Sequence, residues 1–347
     1  IADDNEAIMK LTEQQEVAFK LLSKIKRVSV SGCAGSGKTL LAIRSAKKSA
    51  DAKKTTLLCC YNVLLGDKFS DIAQQNDLIT GGNFHSIIKD ILIDRFGYDT
   101  NFVSRILFDD EKLLSVLVEN TMPLFDSIII DETQDFSKDQ LDILQLMCQP
   151  ESSLYCFWDN NQRLLRSDFE LPHNMEQIAL DTNLRNTKKI FNEVKKYYYQ
   201  TEAIYNEGPE GLDVKLCKPY NAFRKSDLYQ KLSTIIIELI YEEGIPANEI
   251  AILTFKSKEN STLAEFNING IKLSAFNNRL PLDGVIIETA RRFKGLESAV
   301  VILTELDDYS ATQDTELWEN LCYVSMSRAR NYLIILPPNN CKDIIFI

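Results

Sequence analysis

The segment at residues 32–39, which has the sequence G-C-A-G-S-G-K-T, constrains the fold more than any other part of this 347-residue chain. The stretch at 27–31 that precedes it is interpreted as a strand and the amphipathic stretch at 38–50 that follows it as a helix, so the pattern predicts a strand, a glycine-rich turn and a helix. Glycines allow successive backbone N–H groups to curve around an anion, and the helix N-terminus adds partial positive charge there. The segment therefore predicts a phosphate-binding loop shaped by Gly32, Gly35 and Gly37.

Side chains in and beyond this loop suit a nucleoside triphosphate. Lys38 can reach the β- and γ-phosphates, and Thr39 can bind Mg²⁺. Farther along, an apolar strand predicted at 127–130 ends in Asp131 and Glu132. Ligands bind at the carboxyl ends of parallel strands, where Asp131 is suited to holding Mg²⁺ and Glu132 to deprotonating the attacking water. The two motifs predict an Mg²⁺-dependent nucleoside triphosphatase; a solvated acidic turn is the alternative for the two carboxylates.

Short apolar runs alternate with amphipathic stretches along the whole chain, which is typical of a parallel sheet with helices on both faces. Strands are predicted at 27–31, 55–61, 127–130, 153–158, 250–255, 285–288, 300–304 and 332–336. Helices are predicted at 13–23, 38–50, 84–96, 139–148, 188–199, 227–243 and 319–328. The length favours two domains, which we place at 1–178 and 179–347. We expect an α/β fold in which each domain is a mostly parallel sheet flanked by helices.

Charge and cysteine content narrow the class of protein. The chain has 39 Lys and Arg against 50 Asp and Glu, a net charge of −11, which argues against a non-specific nucleic-acid binder. The acidic residues at 305–320 are interpreted as a solvated loop. Eight cysteines without a C-x-x-C pair indicate buried thiols in a reducing compartment. Since no apolar run approaches the ~20 residues of a membrane span, we expect a cytoplasmic protein without a membrane partner.

The sequence D-E-T-Q-D at 131–135 resembles the D-E-x-Q-D motif of superfamily 1 helicases of the UvrD/Rep type. Further motifs follow in the order typical of that family, and the resemblance covers nearly the whole chain. It implies two RecA-like P-loop domains, the second of which carries an arginine finger. It also implies that ATP is hydrolysed to ADP and phosphate in the cleft between the domains, with Mg²⁺ as cofactor. In the family this reaction drives movement along single-stranded DNA.

The resemblance implies further nucleotide contacts in the first domain. The sequence L-T-E-Q-Q at 11–15 is similar to the Q motif, whose last residue, Gln15, would recognise the adenine. The sequence D-N-N-Q at 159–162 resembles motif III, in which Gln162 would sense the γ-phosphate. Both residues are thus expected to contact ATP.

The second domain carries the remaining nucleotide motifs. Three sequences there resemble motifs IV, V and VI of the family, in that order: N-L-R-N at 183–186, T-A-R-R-F-K-G-L-E at 289–297 and Y-V-S-M-S-R-A-R at 323–330. The resemblance implies that Arg185 and Arg328 reach the γ-phosphate, and that Gly295 and Glu297 contact the nucleotide. Each arginine taken alone would more simply form a surface ion pair, whereas their order among the other motifs favours catalysis. An arginine finger can accelerate phosphoryl transfer by ~10³–10⁵.

Contacts to nucleic acid are implied by motif Ia, by N-F-H-S at 83–86 and by motif V. The residues concerned are Tyr61, Asn62, Phe84, His85, Thr289 and Arg291. The expected partner is single-stranded DNA, with RNA as an alternative because no residue is identified that would recognise a 2′-hydroxyl.

The chain departs from the family pattern in three places. Leu184 stands where the family has a tyrosine that stacks on adenine. Leu165 and Ser167 stand where the helicases carry aromatic residues, whose stacking is worth roughly 1–3 kcal/mol per base. The intervals 87–125 and 186–288 leave room for at most a stub of the first accessory insertion and for none of the second.

We therefore expect a compact motor, similar to modules that are fused to nuclease-related domains in defence or repair proteins. The resemblance to these modules implies a covalent or non-covalent partner domain such as a nuclease, and a sequence that begins at Ile1 and not at Met fits this expectation. One alternative is an ATP-dependent regulatory or sensor module that does not unwind DNA. A second is a nucleotide-binding scaffold that has no enzymatic activity.

Overall fold

The computed structural model describes residues 13–22, 24–120, 123–164, 169–199, 203–277, 283–307 and 315–341. Within them the chain divides into two compact units, here called the N-terminal unit, which ends at Thr182, and the C-terminal unit, which begins at Asn183. Each unit is built on a six-stranded sheet flanked by helices. The predicted α/β class and the two mostly parallel sheets are confirmed.

All strand pairs in the sheet of the N-terminal unit are parallel. Its strands are β1 (Arg27–Gly32), β2 (Thr56–Cys60), β3 (Ile79–Asn83), β4 (Phe125–Ile130), β5 (Cys148–Trp158) and β6 (Glu176–Leu180). They lie in the order β3-β2-β4-β5-β1-β6. Every loop that follows a strand therefore begins at the same edge of the sheet, which brings together residues far apart in sequence.

Helices cover both faces of this sheet because its central strands are apolar on both sides. The helices are α1 (Glu13–Leu22), α2 (Lys38–Asp51), α3 (Val63–Ala73), α4 (Phe84–Asp90), α5 (Thr100–Ile106), α6 (Asp110–Asn120) and α7 (Lys138–Leu146). Within β2, Leu57 and Cys59 pack into one apolar cluster, and Leu58 and Cys60 into another on the opposite face. This two-sided burial explains why the strand is a continuous apolar run. Burial also raises the pKa of the Cys59 thiol.

The structure corrects several boundaries in this unit. The helix predicted at 84–96 is α-helical only to Asp90 and continues as a π-helical turn, Ile91–Arg95. Strand β3, with the sequence I-T-G-G-N, was not predicted because glycine is rare in strands. A Cβ on Gly81 would lie 2.3 Å from the backbone oxygen of Phe69, so close packing excludes a side chain there. The boundary predicted after residue 178 falls inside β6, which pairs with β1.

The C-terminal unit is built in the same way. Its strands, the first of which starts at the unit boundary, are β7 (Thr182–Asn183), β8 (Tyr205–Asn206), β9 (Lys215–Leu216), β10 (Ile250–Thr254), β11 (Leu273–Ala275), β12 (Val285–Thr289), β13 (Ser298–Thr304) and β14 (Ala329–Ile335). The parallel sheet has the order β11-β12-β10-β13-β14-β9, and β7 pairs with β8 separately. The helices are α8 (Lys188–Lys195), α9 (Lys225–Ile237) and α10 (Thr315–Met326). Among the described residues, no helix combines the length and the apolar character needed to cross a membrane.

Glu305 contradicts the prediction that residues 305–320 form a solvated loop. It is 1% exposed and adopts a left-handed backbone conformation at the end of β13. Its carboxylate accepts hydrogen bonds from the hydroxyls of Thr254, Ser261 and Thr262 at 2.9, 2.5 and 2.9 Å, and from the Thr262 N–H at 2.9 Å. These four donors offset the cost of burying the charge. Residues 308–314 of the predicted loop lie outside the described part of the chain.

We expect Glu305→Gln to lower the free energy of unfolding by about 1–2 kcal/mol. An amide of the same shape keeps one acceptor oxygen but turns an NH₂ group toward donors that now bond to a carboxylate. Urea unfolding would measure the loss, and Glu316→Gln, at an exposed position of α10, serves as the matched control. Equal midpoints for the two variants would contradict the structural role of Glu305.

Candidate functional site

The loop after β1 depends on glycine at the point where it enters α2. Gly35 and Gly37 have φ angles of 75° and 87°, a region that side chains rarely adopt. A Cβ on Gly37 would also lie 2.0 Å from Nε2 of Gln15. Gly32 is equally confined, since a Cβ there would lie 2.7 Å from the Ser36 hydroxyl. The three glycines predicted for the loop therefore fit its geometry.

Lys38, the first residue of α2, points its ammonium back into the loop. Its Nζ donates to the backbone oxygens of Gly32 at 2.7 Å and Cys33 at 3.0 Å, and lies 3.5 Å from Oδ2 of Asp159. The side chain is buried. The loop thus holds a positive charge at its centre, beside the N-terminus of a 14-residue helix.

Gln15 lies against the same loop. Its Nε2 donates to the backbone oxygen of Ser36 at 2.8 Å. The structure therefore brings Gln15 to the phosphate-binding loop, while its expected contact with adenine stays a prediction. The Ser36 hydroxyl is buried and has no hydrogen-bond partner among the described residues. Residues 11 and 12 of the predicted Q motif lie outside the described part of the chain.

Asp131 and Glu132 follow β4, close to the loop. Asp131 is 0% exposed; its Oδ1 accepts from the Glu132 N–H at 3.0 Å, whereas Oδ2 has no partner within the described residues. Burial, and then the charge of Glu132, raise the pKa of Asp131 to about 7, while the Thr39 hydroxyl and the Lys38 ammonium act in the opposite direction. Thr39, Lys38 and Asp131 are therefore brought together, as predicted for a metal and phosphate site.

These residues also fit Mg²⁺, which prefers oxygen ligands and keeps part of its shell for water and phosphate. The buried, unpartnered Oδ2 of Asp131 is such a ligand, and the Thr39 hydroxyl beside that carboxylate is a second. No group of three or more His, Cys, Asp or Glu residues suited to a metal occurs among the described residues.

A buried chain of hydrogen bonds connects Glu132 to Gln162. Oε2 of Glu132 accepts from Nε2 of Gln134 at 2.6 Å, and Oε1 of Gln134 accepts from the Asp159 N–H at 3.1 Å. Oδ2 of Asp159 then accepts from Nε2 of Gln162 at 2.7 Å. Sequence reasoning assigned no role to Gln134 or Asp159. The available signal was their place in the motifs at 131–135 and 159–162.

In the C-terminal unit the structure brings Arg185 and Glu297 together. Nε of Arg185 lies 2.7 Å from Oε2 of Glu297, and Nη1 of Arg330 lies 3.9 Å from its Oε1. Gly295, with a φ of 80°, supplies the turn before Glu297. Arg185 thus forms the ion pair that was its alternative interpretation, and its contact with a phosphate stays a prediction.

Arg328 is a buried residue and not a surface one. It is 1% exposed, and its guanidinium donates to the backbone oxygens of Val324 at 2.9 Å and Leu296 at 3.4 Å. A third donor binds the hydroxyl of Ser327 at 2.9 Å. The surface position considered for Arg328 is therefore wrong, because the guanidinium is buried.

Asn186 ties the segment around Arg185 to the segment around Arg328. Its Nδ2 donates to the backbone oxygens of Ser327 at 3.0 Å and Ala329 at 2.5 Å. The two predicted phosphate-binding arginines therefore belong to one hydrogen-bonded cluster.

The residues predicted to contact nucleic acid in the N-terminal unit have different surroundings. Tyr61 and His85 are half-buried, with ring centroids 5.5 Å apart. Phe84 has no exposed surface and packs against Phe136, so the prediction of direct contact is wrong for this ring. Asn62 caps α3, where its Oδ1 accepts from two backbone N–H groups. Tyr61 and His85 are therefore the rings that can face a ligand.

Phe108 is an aromatic neighbour of His85 that sequence reasoning missed. Its ring is 78% exposed and lies 4.7 Å from the His85 ring. It belongs to no recognised motif, so the sequence offered no signal. Burial lowers the pKa of His85, while the carboxylate of Asp110 acts in the opposite direction. Burial therefore outweighs the charge of Asp110 and disfavours protonation of His85.

Thr289 and Arg291 lie at the carboxyl end of β12 in the C-terminal unit. The Thr289 hydroxyl accepts from the Arg292 N–H at 3.1 Å, and Arg291 donates to the backbone oxygen of Phe255 at 2.8 Å. Arg292 also pairs with the buried Glu288 at 3.0 Å. These bonds stabilise the turn, and a role of Thr289 and Arg291 in nucleic-acid binding stays a prediction. Leu165 and Ser167 lie outside the described residues.

Comparison with known proteins adds no assignment to this geometry. No protein-family model matches the sequence, and no curated protein matches it significantly. The residues and their arrangement therefore carry the functional interpretation.

Proposed function

We propose that this chain is an Mg²⁺-dependent ATPase of the RecA-like P-loop type, a UvrD/Rep-like motor that hydrolyses ATP to ADP and phosphate when it binds single-stranded DNA. One observation carries the ATPase proposal. The loop at 32–39, the Asp131–Glu132 pair and the Asp159–Gln162 turn follow β1, β4 and β5, which are neighbours in one parallel sheet. The motif order described above supports the more specific helicase assignment.

The side chains of the N-terminal unit would divide the reaction among them. Backbone N–H groups of the loop and the Lys38 ammonium bind the phosphates and offset their charge. Asp131 and Thr39 would hold Mg²⁺, which would supply further neutralisation of the phosphate charge. Glu132 takes a proton from the attacking water while the water oxygen forms a bond to the γ-phosphorus. The bond to the β–γ bridging oxygen breaks, and ADP leaves with that electron pair.

Gln162 and the two arginines complete the proposal. Gln162 donates a hydrogen bond to Asp159, which also lies beside Lys38. The amide of Gln162 is therefore near the ammonium that is proposed to bind the phosphates. The assignment of Arg185 and Arg328 to the γ-phosphate rests on the resemblance alone. Replacing either arginine by Ala would then reduce hydrolysis more than it reduces nucleotide binding.

Phosphate release by the purified chain tests the proposal directly. We expect release from Mg-ATP to rise with single-stranded DNA and to fall to background in Lys38→Ala, because that substitution removes the charge at the centre of the loop. Lys68→Ala, at an exposed position of α3, is the matched control and should behave as the wild type. If the wild type and Lys38→Ala release phosphate equally, the enzyme proposal fails and a nucleotide-binding scaffold remains.

A second candidate is a regulatory or sensor ATPase that does not unwind DNA. Two observations favour it. Helices α4 to α6 pack into the core of the N-terminal unit, through Ile88, Val103 and Leu113 among others, instead of forming a separate lobe. The rings of Tyr61 and His85 have the Asp110 carboxylate beside them, which repels a polyanion. DNA-stimulated phosphate release without strand displacement would favour this function over a helicase.

A further inference from the structure

We propose that Gln134 is a positioning residue, which orients the Glu132 carboxylate and links it to the turn that carries Gln162. This inference rests on the proposed ATPase function. Gln134 lies in the short 3₁₀ turn Thr133–Asp135 and is fully buried. Its amide bonds in one direction to Glu132 and in the other to Asp159.

The hydrogen bond from Gln134 restricts the orientation of the Glu132 side chain. Glu132 has a φ of 53°, a conformation that is costly for a side chain other than glycine, and it is buried. A glutamate has three side-chain torsions, so a strong donor is needed to hold its carboxylate in one orientation. The bond from Gln134 at 2.6 Å is short and charge-assisted. It therefore determines how the proposed base faces the reacting water.

The bond to Asp159 fixes the orientation of the Gln134 amide itself. If the amide were rotated by half a turn, its NH₂ group would face the Asp159 N–H and its oxygen would face the Glu132 carboxylate. Both contacts would be repulsive, so only the observed orientation satisfies both neighbours. Because Asp159 also accepts from Gln162, a shift of this turn changes the hydrogen-bonding environment of Gln134 and thus of Glu132.

This arrangement predicts an effect on the chemical step and not on nucleotide affinity. Gln134 bonds to the proposed base, whereas Lys38 and the loop at 32–39 provide the nucleotide contacts. We expect Gln134→Leu to lower kcat by about 10- to 100-fold, as misplacement of a catalytic group does. The Kd for Mg-ATP should stay close to that of the wild type.

Two variants separate the hydrogen bonds of Gln134 from its contribution to folding. Gln134→Glu keeps an acceptor for the Asp159 N–H but loses the donor to Glu132, so it should lower kcat as Gln134→Leu does. Gln140→Leu is the matched control, because Gln140 is a buried amide whose bonds go to Ser137 and Asp110 instead. It should lower the melting temperature without a comparable loss of kcat. If Gln134→Leu fails to fold, Gln134→Glu carries the test.

The decisive measurement combines these changes with Glu132→Gln. If Gln134 acts through Glu132, adding Gln134→Glu to Glu132→Gln causes no further loss of kcat, because the base is already absent. Losses that multiply, or a Kd that rises with the loss of kcat, would overturn the positioning role. A wild type that releases no phosphate would instead refute the proposed ATPase, so the two failures are distinguishable.

Discussion

Replacing Glu132 by Gln is expected to lower kcat for ATP hydrolysis by about 10²- to 10⁴-fold and to leave nucleotide binding intact. The amide has the shape of the carboxylate but cannot accept a proton from water. Nucleotide affinity should persist, because the contacts proposed for the phosphates come from Lys38 and the glycine loop. Single-turnover hydrolysis and the Kd of a fluorescent ATP analogue would measure the two effects separately.

Glu170→Gln provides the control for this substitution. Glu170 is an exposed carboxylate of the same unit, paired with Lys138 and outside the motifs that form the proposed site. Its variant should hydrolyse ATP as the wild type does. Hydrolysis by Glu132→Gln at the wild-type rate would show that Glu132 is not the base, even if the chain is an ATPase.

Replacing Asp131 by Asn is expected to stabilise the nucleotide-free protein by roughly 2–4 kcal/mol at neutral or higher pH. The Asp131 carboxyl is buried, and its raised pKa means that ionisation is harder in the folded state than in the unfolded chain. As the pH rises from about 4 to about 7, the unfolded state therefore gains stability relative to the folded state. An amide has no charge to desolvate, so the variant escapes this penalty.

Thermal unfolding at ~pH 5 and ~pH 8 would test this prediction. The advantage of Asp131→Asn should be larger at the higher pH, and Asp71→Asn, at an exposed position of α3, should show no such trend. Mg-ATP should raise the melting temperature of the wild type more than that of Asp131→Asn, because the variant lacks the proposed metal ligand. A lower melting temperature for Asp131→Asn at both pH values would contradict the structural argument.

The structural features that were predicted well from the sequence are those determined by residues close together in the chain. The apolar run of β2 shows its two-sided burial directly, and the glycine loop requires its own backbone geometry. Strand β3 was missed because Gly81 is required by a close contact with the backbone of α3, and the sequence pattern of the strand does not show that contact. Glu305 was misinterpreted for the same reason, since its donors come from Thr254 and the segment at 261–262.

The candidate site shows the same division. Lys38, Asp131 and Glu132 could be identified because each follows a strand in a recognisable motif. Gln134 could not be given a role, since its bond to Asp159 depends on β4 and β5 being neighbours. Phe84 was expected to contact nucleic acid because of its motif, whereas the packing of α4 on the sheet buries it.

The carbonyl contacts of Lys38 have a consequence for how the loop meets a ligand. Two backbone oxygens of the loop accept hydrogen bonds from the ammonium, so folding itself orders the loop around a cation. Ligand binding then becomes an exchange of one set of oxygens for another, and little conformational entropy is lost at that moment. The conformational entropy needed to order the anion-binding loop is thereby lost during folding, and the loop is preorganised for its ligand.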